Sequence, residues 1–172
     1  NDSHNLNPTP GFGWNFTSVA GGGGSGVDVG NAYGQGGSLA YSGSQRACLQ
    51  SSGNSTVTHL SQIISNFVVG QYYQLSFAAE AINAYDGANP FRVQMIDGTT
   101  TNVLFGGTVI TPVTSGYTVY TSAPFQATGT SMPLDFYDGG LPTPSYVSWI
   151  DAVSINTVSN ANYSTSGDIR AE

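Results

Sequence analysis

The sequence predicts an all-β domain, a sandwich or barrel of about ten short antiparallel strands. Three observations lead there. In the most clearly patterned stretch, residues 58–80, one side of the chain is carried by Leu60, Gln62 and Ile64. Further on, Tyr73, Leu75, Phe77 and Ala79 share a side, with Tyr72, Gln74, Ser76 and Glu80 opposite. That alternation is the period-two signature of strands with one buried face. Short runs of strand-forming residues are also separated throughout by Gly, Pro, Asn and Asp turn signals. Finally, no stretch carries a helical period of useful length.

Residues 1–13 hold two Pro and three Asn without periodicity and read as an arm or irregular lead-in. Residues 14–19 form a short strand. Residues 21–26, nearly all glycine, read as a surface loop. A phosphate cradle would need Gly-Lys-Ser/Thr opening a helix, and neither follows. Val27-Asp28-Val29 leads into a second glycine-rich loop, 30–38, which carries Tyr33. Residues 39–41 and 46–50 are strand candidates, and Gly53-Asn54 turns the chain into 58–80. Residues 81–90 form a polar loop with Asn83, Tyr85, Asp86 and Asn89. Residues 91–96 form a strand, closed by the turn pair Asp97-Gly98. Runs 103–105 and 108–110 follow. Ser115-Gly116 turns into 117–121, where Tyr117 and Val119 oppose Thr118 and Tyr120, and 125–127 extends it. A strand over 133–138 is stopped by Gly139-Gly140. A Pro-bearing loop then leads into the last strand, 146–155. The expected division is an arm over 1–13, a sandwich over 14–156 and a tail or linker over 157–172.

Composition excludes several function classes. Only 8% of the 172 residues are charged, against roughly 25% in an average domain. There is no Lys, and Arg46, Arg92 and Arg170 cannot form the basic patch that phosphate backbones require, so no nucleic-acid partner is expected at a net charge of −7. No apolar run approaches the roughly 18 residues of a membrane span. Cys48 is alone, which rules out an internal disulfide and a cysteine metal site and reads as a buried, inert thiol. Polarity carried by hydroxyls and amides in place of Lys points to an extracellular, secreted setting. Three Asn-x-Ser/Thr sequons, at Asn15, Asn54 and Asn162, matter only where the source glycosylates. The chain begins at Asn1 without Met, so a processed form or a piece of something longer is expected.

The order of segments is itself informative. Ala47-Cys48-Leu49-Gln50 is followed by Leu60-Ser61-Gln62-x-Ile64. Then come Gly70-x-x-Tyr73-x-Leu75-Ser76-Phe77-Ala78-Ala79, Asp97-Gly98, Tyr117 and Trp149-Ile150-Asp151-x-Val153-Ser154-Ile155. This succession resembles the jelly-roll β-sandwich of the galactose-binding-like superfamily, which includes many carbohydrate-binding modules of secreted glycoside hydrolases. The resemblance implies non-catalytic binding of a polysaccharide or oligosaccharide, with further domains of a longer chain or self-association as other partners. It also makes Asp151 a candidate ligand of a structural calcium. The Glu that often completes that site, in an N-terminal Asn-Gly-x-Phe-Glu strand, is missing here. No other cofactor is implied.

Catalysis has little to work with. A glycosidase needs two carboxylates about 5–9 Å apart. Glu80 with Asp86, and Asp135 with Asp138, are the pairs that could converge. His4 and His59 have no carboxylate placed by sequence to orient them, and there is no Gly-x-Ser-x-Gly elbow. No catalytic residue is assigned. Sugar binding fits better, because a pyranose offers an apolar face to an aromatic plate and hydroxyls to amides, carboxylates or guanidinium. Tyr33, Tyr85 and Tyr146, in or beside loops, are the candidate plates. Asn83, Asp86 and Arg92 are the candidate hydrogen-bonding groups. Arg92 and Gln94 share a side opposite Phe91, Val93 and Met95. The plain alternative for Arg92 is a solvated ion pair with Glu80. Trp14 and Trp149 match core aromatics of the resembled fold. The rival to a binding module is a structural subunit of an extracellular assembly, joined through sheet edges.

Overall fold

The computed structural model describes residues 13–16, 24–29, 39–50, 57–81, 88–97, 100–138 and 146–159. Among them run eleven strands: β1 (Trp14–Phe16), β2 (Gly24–Val29), β3 (Gln45–Gln50), β4 (His59–Ser65), β5 (Tyr72–Ala81), β6 (Phe91–Asp97), β7 (Thr100–Val103), β8 (Thr118–Thr121), β9 (Phe125–Gln126), β10 (Ser131–Asp138) and β11 (Val147–Thr157). A single 3-10 turn, Leu104–Gly107, follows β7. The strands form two antiparallel sheets. One has the order β1-β4-β10-β6-β7. The other has the order β2-β3-β11-β5-β8, with β9 pairing β5 beside that path. This is the expected all-β jelly-roll sandwich.

The core lies between the sheets. Leu60 from β4, Val93 and Met95 from β6, and Met132, Leu134 and Phe136 from β10 face Leu49, Leu75, Phe77 and Ile150 of the other sheet. Phe77 sits at its centre, with its ring centroid 5.1 Å from Phe136 and 6.0 Å from Phe91. The stretch 58–80 supplies one strand to each sheet. It is an arch between layers, whose two apolar sides meet across the core.

Several local expectations are corrected. Gly24, Ser25 and Gly26 belong to β2, paired with Gln50, Leu49 and Cys48, so the second half of the glycine run is strand. Glycine there leaves no side chain to pack; the ladder with β3 holds the strand, and Ser25 Oγ donates to the His59 carbonyl. Residues 39–41 form no strand. Residues 104–107 coil into a turn because Phe105 and Gly106 take positive φ, 58° and 62°. Trp149 is buried, as expected, but on the outer side of its sheet with Cys48 and Val147.

Candidate functional site

Two outward sheet faces could serve a ligand, and their packing separates them. On the six-stranded sheet, Cys48, Trp149 and Glu80 lie side by side on β3, β11 and β5. Arg46 Nη1 donates to Glu80 Oε1 at 3.2 Å, with both side chains 3% exposed. The Arg46 guanidinium lies 3.8 Å from the centre of the Trp149 ring. Glu80 is therefore paired across its own sheet, and the expected alternative of a Glu80–Arg92 pair fails because Arg92 lies on the opposite sheet. Tyr41 packs edge-on against Tyr117 at 5.5 Å, and Ser42 N donates to Asp151 Oδ2 at 3.1 Å. Segment 39–44 is thus fastened over this face. Burial lifts the Tyr117 hydroxyl above its usual 10.0, against a smaller opposing effect of Arg46. Its oxygen is enclosed beside Arg46 without a hydrogen bond of good geometry.

The outer face of the five-stranded sheet is more open, and strand register builds it. Because Phe91, Val93 and Met95 point inward, Arg92, Gln94 and Ile96 point outward. On β10, Leu134 and Phe136 point inward, which leaves Pro133, Asp135 and Tyr137 outward. On β4, His59, Ser61 and Ile63 do the same. Pairing then aligns two polar rows, His59–Tyr137–Arg92 and Ser61–Asp135–Gln94. Asn15 of β1 extends the second row at one edge and Val103 of β7 at the other. Ile63, opposite Pro133 and 61% exposed, begins an apolar strip beside them.

Asp135 organises this face. Its carboxylate takes His59 Nδ1 at 3.0 Å and the Gln94 amide Nε2 at 2.9 Å. It is itself almost buried, whereas the His59 side chain is 41% exposed. With Asp135 ionised, Nδ1 of His59 carries the proton that is shared, and Nε2 is left as an acceptor when the ring is neutral. The His59 and Tyr137 rings stack with centroids 5.9 Å apart. Arg92 is half-buried, and its Nε donates to the Gly107 carbonyl at 3.4 Å. The face presents planar aromatic groups, amides, a hydroxyl and a guanidinium in fixed places, with an apolar strip alongside.

Of the residues singled out in the sequence, Arg92 is on this face. Tyr146 is half-buried just before β11 and lies on neither polar row. Tyr33, Asn83, Tyr85 and Asp86 lie outside the described residues. Asp138 and Asp135 do not converge as a pair: Asp138 is buried and accepts from Thr58 Oγ1 at 2.8 Å. Asp151 accepts the N–H of Ala152 on Oδ1 at 2.6 Å and that of Ser42 on Oδ2, steadying the bulge where Ala152 takes φ of 49°. No group of three His, Cys, Asp or Glu side chains that could hold a metal occurs among the described residues. Sequence reasoning missed His59, Asp135 and Tyr137. Their only sequence signal was an outward position on two strands, and their pairing depended on which strands became neighbours.

A cavity of about 410 Å³ opens elsewhere, at the sandwich edge where β11 leaves β3 at its bulge, lined by Trp14, Phe16, Ile64, Val153 and Ile155 among others. No helix among the described residues is long and apolar enough to cross a membrane.

No family model matches this sequence, and no curated protein does. Solved structures do. A family 61 carbohydrate-binding module in complex with β-1,4-galactotriose superposes with a TM-score of 0.57 at 10% identity, covering 84% of this chain and 88% of that one. The CBM22-1 xylan-binding domain of Paenibacillus barcinonensis Xyn10C gives 0.58 at 14% identity, covering 90% and 92%. The enzymatically active domain of tailspike protein 4 of bacteriophage CBA120 gives 0.53 at 14%, covering 86% of this chain and 20% of that one. At these identities the likeness is one of fold: the chain has the jelly-roll β-sandwich found in carbohydrate-binding modules.

Proposed function

We propose that this chain is a non-catalytic glycan-binding module of a secreted enzyme, and that its ligand lies on the outer face of the five-stranded sheet. The observation that carries the reading is the Asp135 carboxylate holding His59 and Gln94 in place beside Tyr137 and Arg92 on an open sheet face. Pre-positioned side chains lose little freedom on binding, which is how a shallow site gains affinity. Rings and the Ile63–Pro133 strip suit the apolar face of a sugar, and the amides and guanidinium suit its hydroxyls. The solved modules of this fold that hold galactotriose or bind xylan support the same reading. Titration of soluble polysaccharides and oligosaccharides by calorimetry tests it. Tyr137→Ala should weaken binding, while Val119→Ala on the other sheet should leave it intact. Equal loss from both variants, or no glycan bound at all, would remove the reading.

A second reading, assembly through sheet edges, is favoured by β11. Beyond its bulge, Ser154–Thr157 pair with β5 on one side, and no strand among the described residues pairs the other side. The 410 Å³ cavity lies along that edge. A strand from a neighbour could add there. Light scattering at rising protein concentration tests this: assembly predicts growing oligomers, and a constant monomer mass rejects it.

A further inference from the structure

We infer that the glycan taken by this face is an acidic one, its anionic group received by Arg92. The inference rests on the glycan-binding reading and narrows it to a ligand class. Several charges on the described residues are matched internally. Arg46 is matched to Glu80. Asp135 is matched to His59 and Gln94. Asp138 accepts from Thr58, and Asp151 from two backbone N–H groups. Arg92 differs. Only its Nε is engaged, by a long 3.4 Å bond to a neutral carbonyl. No ion pair is formed by its guanidinium among the described residues.

Arg92 is also half-buried, on an inner strand of the sheet between β10 and β7. Withdrawing a charge part-way from water without a counter-ion is unfavourable. A neutral hydroxyl only replaces a water molecule there, whereas an anionic oxygen pair compensates the charge. The terminal nitrogens form a planar fork that matches a carboxylate or an ester sulfate with two parallel hydrogen bonds. Tyr137, directly opposite on β10, provides the ring beside which the sugar would lie. Asp135 is the described carboxylate on this face that could repel such a ligand. Its charge is already shared with His59 and Gln94, and it is only 4% exposed.

The experiment compares an oligogalacturonate, its carboxyl-reduced neutral counterpart and a sulfated oligosaccharide by calorimetry. Each is titrated at low and at high salt into the wild-type chain and into Arg92→Gln and Arg92→Lys. The acidic ligand should bind at least about tenfold tighter than its neutral counterpart, the scale of one hydrogen bond to a charged group. Salt should erode that difference. Arg92→Gln should abolish it, weakening the acidic ligand far more than the neutral one, and Arg92→Lys should keep part of it. Preference for the uronate or for the sulfate ester identifies the anion. Equal binding of acidic and neutral forms, or a preference that survives Arg92→Gln, overturns the inference but leaves glycan binding standing. No binding of any glycan by folded wild-type protein overturns both. Thermal unfolding of each variant checks that it is folded.

Discussion

Replacing Glu80 by Gln tests whether the covered face of the six-stranded sheet is held by charge. Glu80 and Arg46 are each 3% exposed and meet at 3.2 Å. Glu80→Gln keeps the shape and removes the negative charge that meets the buried Arg46 cation. Breaking a buried pair in this way costs about 3–5 kcal/mol. In a domain of this size, about 1 kcal/mol shifts Tm by about 2–4 °C, so a fall of roughly 10 °C is expected. The stacking of Arg46 on Trp149 at 3.8 Å survives the substitution and offsets little of this. Removing both charges together, as Arg46→Met with Glu80→Leu, should recover most of the loss, because desolvation of two ions is no longer required. The assay is urea unfolding of wild type, the single variants and the double variant, at low and at high salt. The loss should be insensitive to salt, since screening acts weakly on buried pairs. A loss below about 1 kcal/mol for Glu80→Gln, or a double variant that costs the sum of the singles, would refute the reasoning.

Three further outcomes are expected. Phe136→Ala removes a ring packed on Phe77, Phe91 and Trp14, and should destabilise by about 3–5 kcal/mol in the same unfolding assay. Asp135→Asn should weaken glycan binding without unfolding the chain; calorimetry reads the affinity, and circular dichroism checks the fold. Burial holds the Tyr117 hydroxyl above its usual 10.0 in the folded chain, and the same cause raises Tyr120. The unfolded chain therefore ionises first as pH rises past 10.0, and stability should fall from there through the folded-state values. Tyr117→Phe should flatten that alkaline decline, measured by unfolding at a series of alkaline pH values. At neutral pH it should cost under about 1 kcal/mol, since the hydroxyl makes no well-formed hydrogen bond.

Local pattern was enough to identify the sandwich, its core strands and the outward side of β6. A strand's period of two is a property of the backbone, so burial of Leu75, Phe77 and Phe91 could be read directly from their spacing. The same rule placed Arg92 outward. Glycine misled where it was read as a loop in 24–26, because a strand held by its neighbour's ladder needs no favourable side chain. The partner of each charge was not legible. Glu80 lies closer in sequence to Arg92 than to Arg46, yet the chain crosses to the opposite sheet between Glu80 and Arg92, and the fold pairs Glu80 with Arg46. His59 and Asp135 stand 76 residues apart, and meet only because β10 inserts between β4 and β6.

The sequence by itself determined the fold class and the composition of the core, since alternation and turn residues are local properties. Only the tertiary structure decided which face is open. That depends on strand order and on segment 39–44 lying over one sheet, both set by long-range contacts. Strand order also builds the face of β4, β10 and β6, where alignment across three strands turns separately unremarkable side chains into one surface.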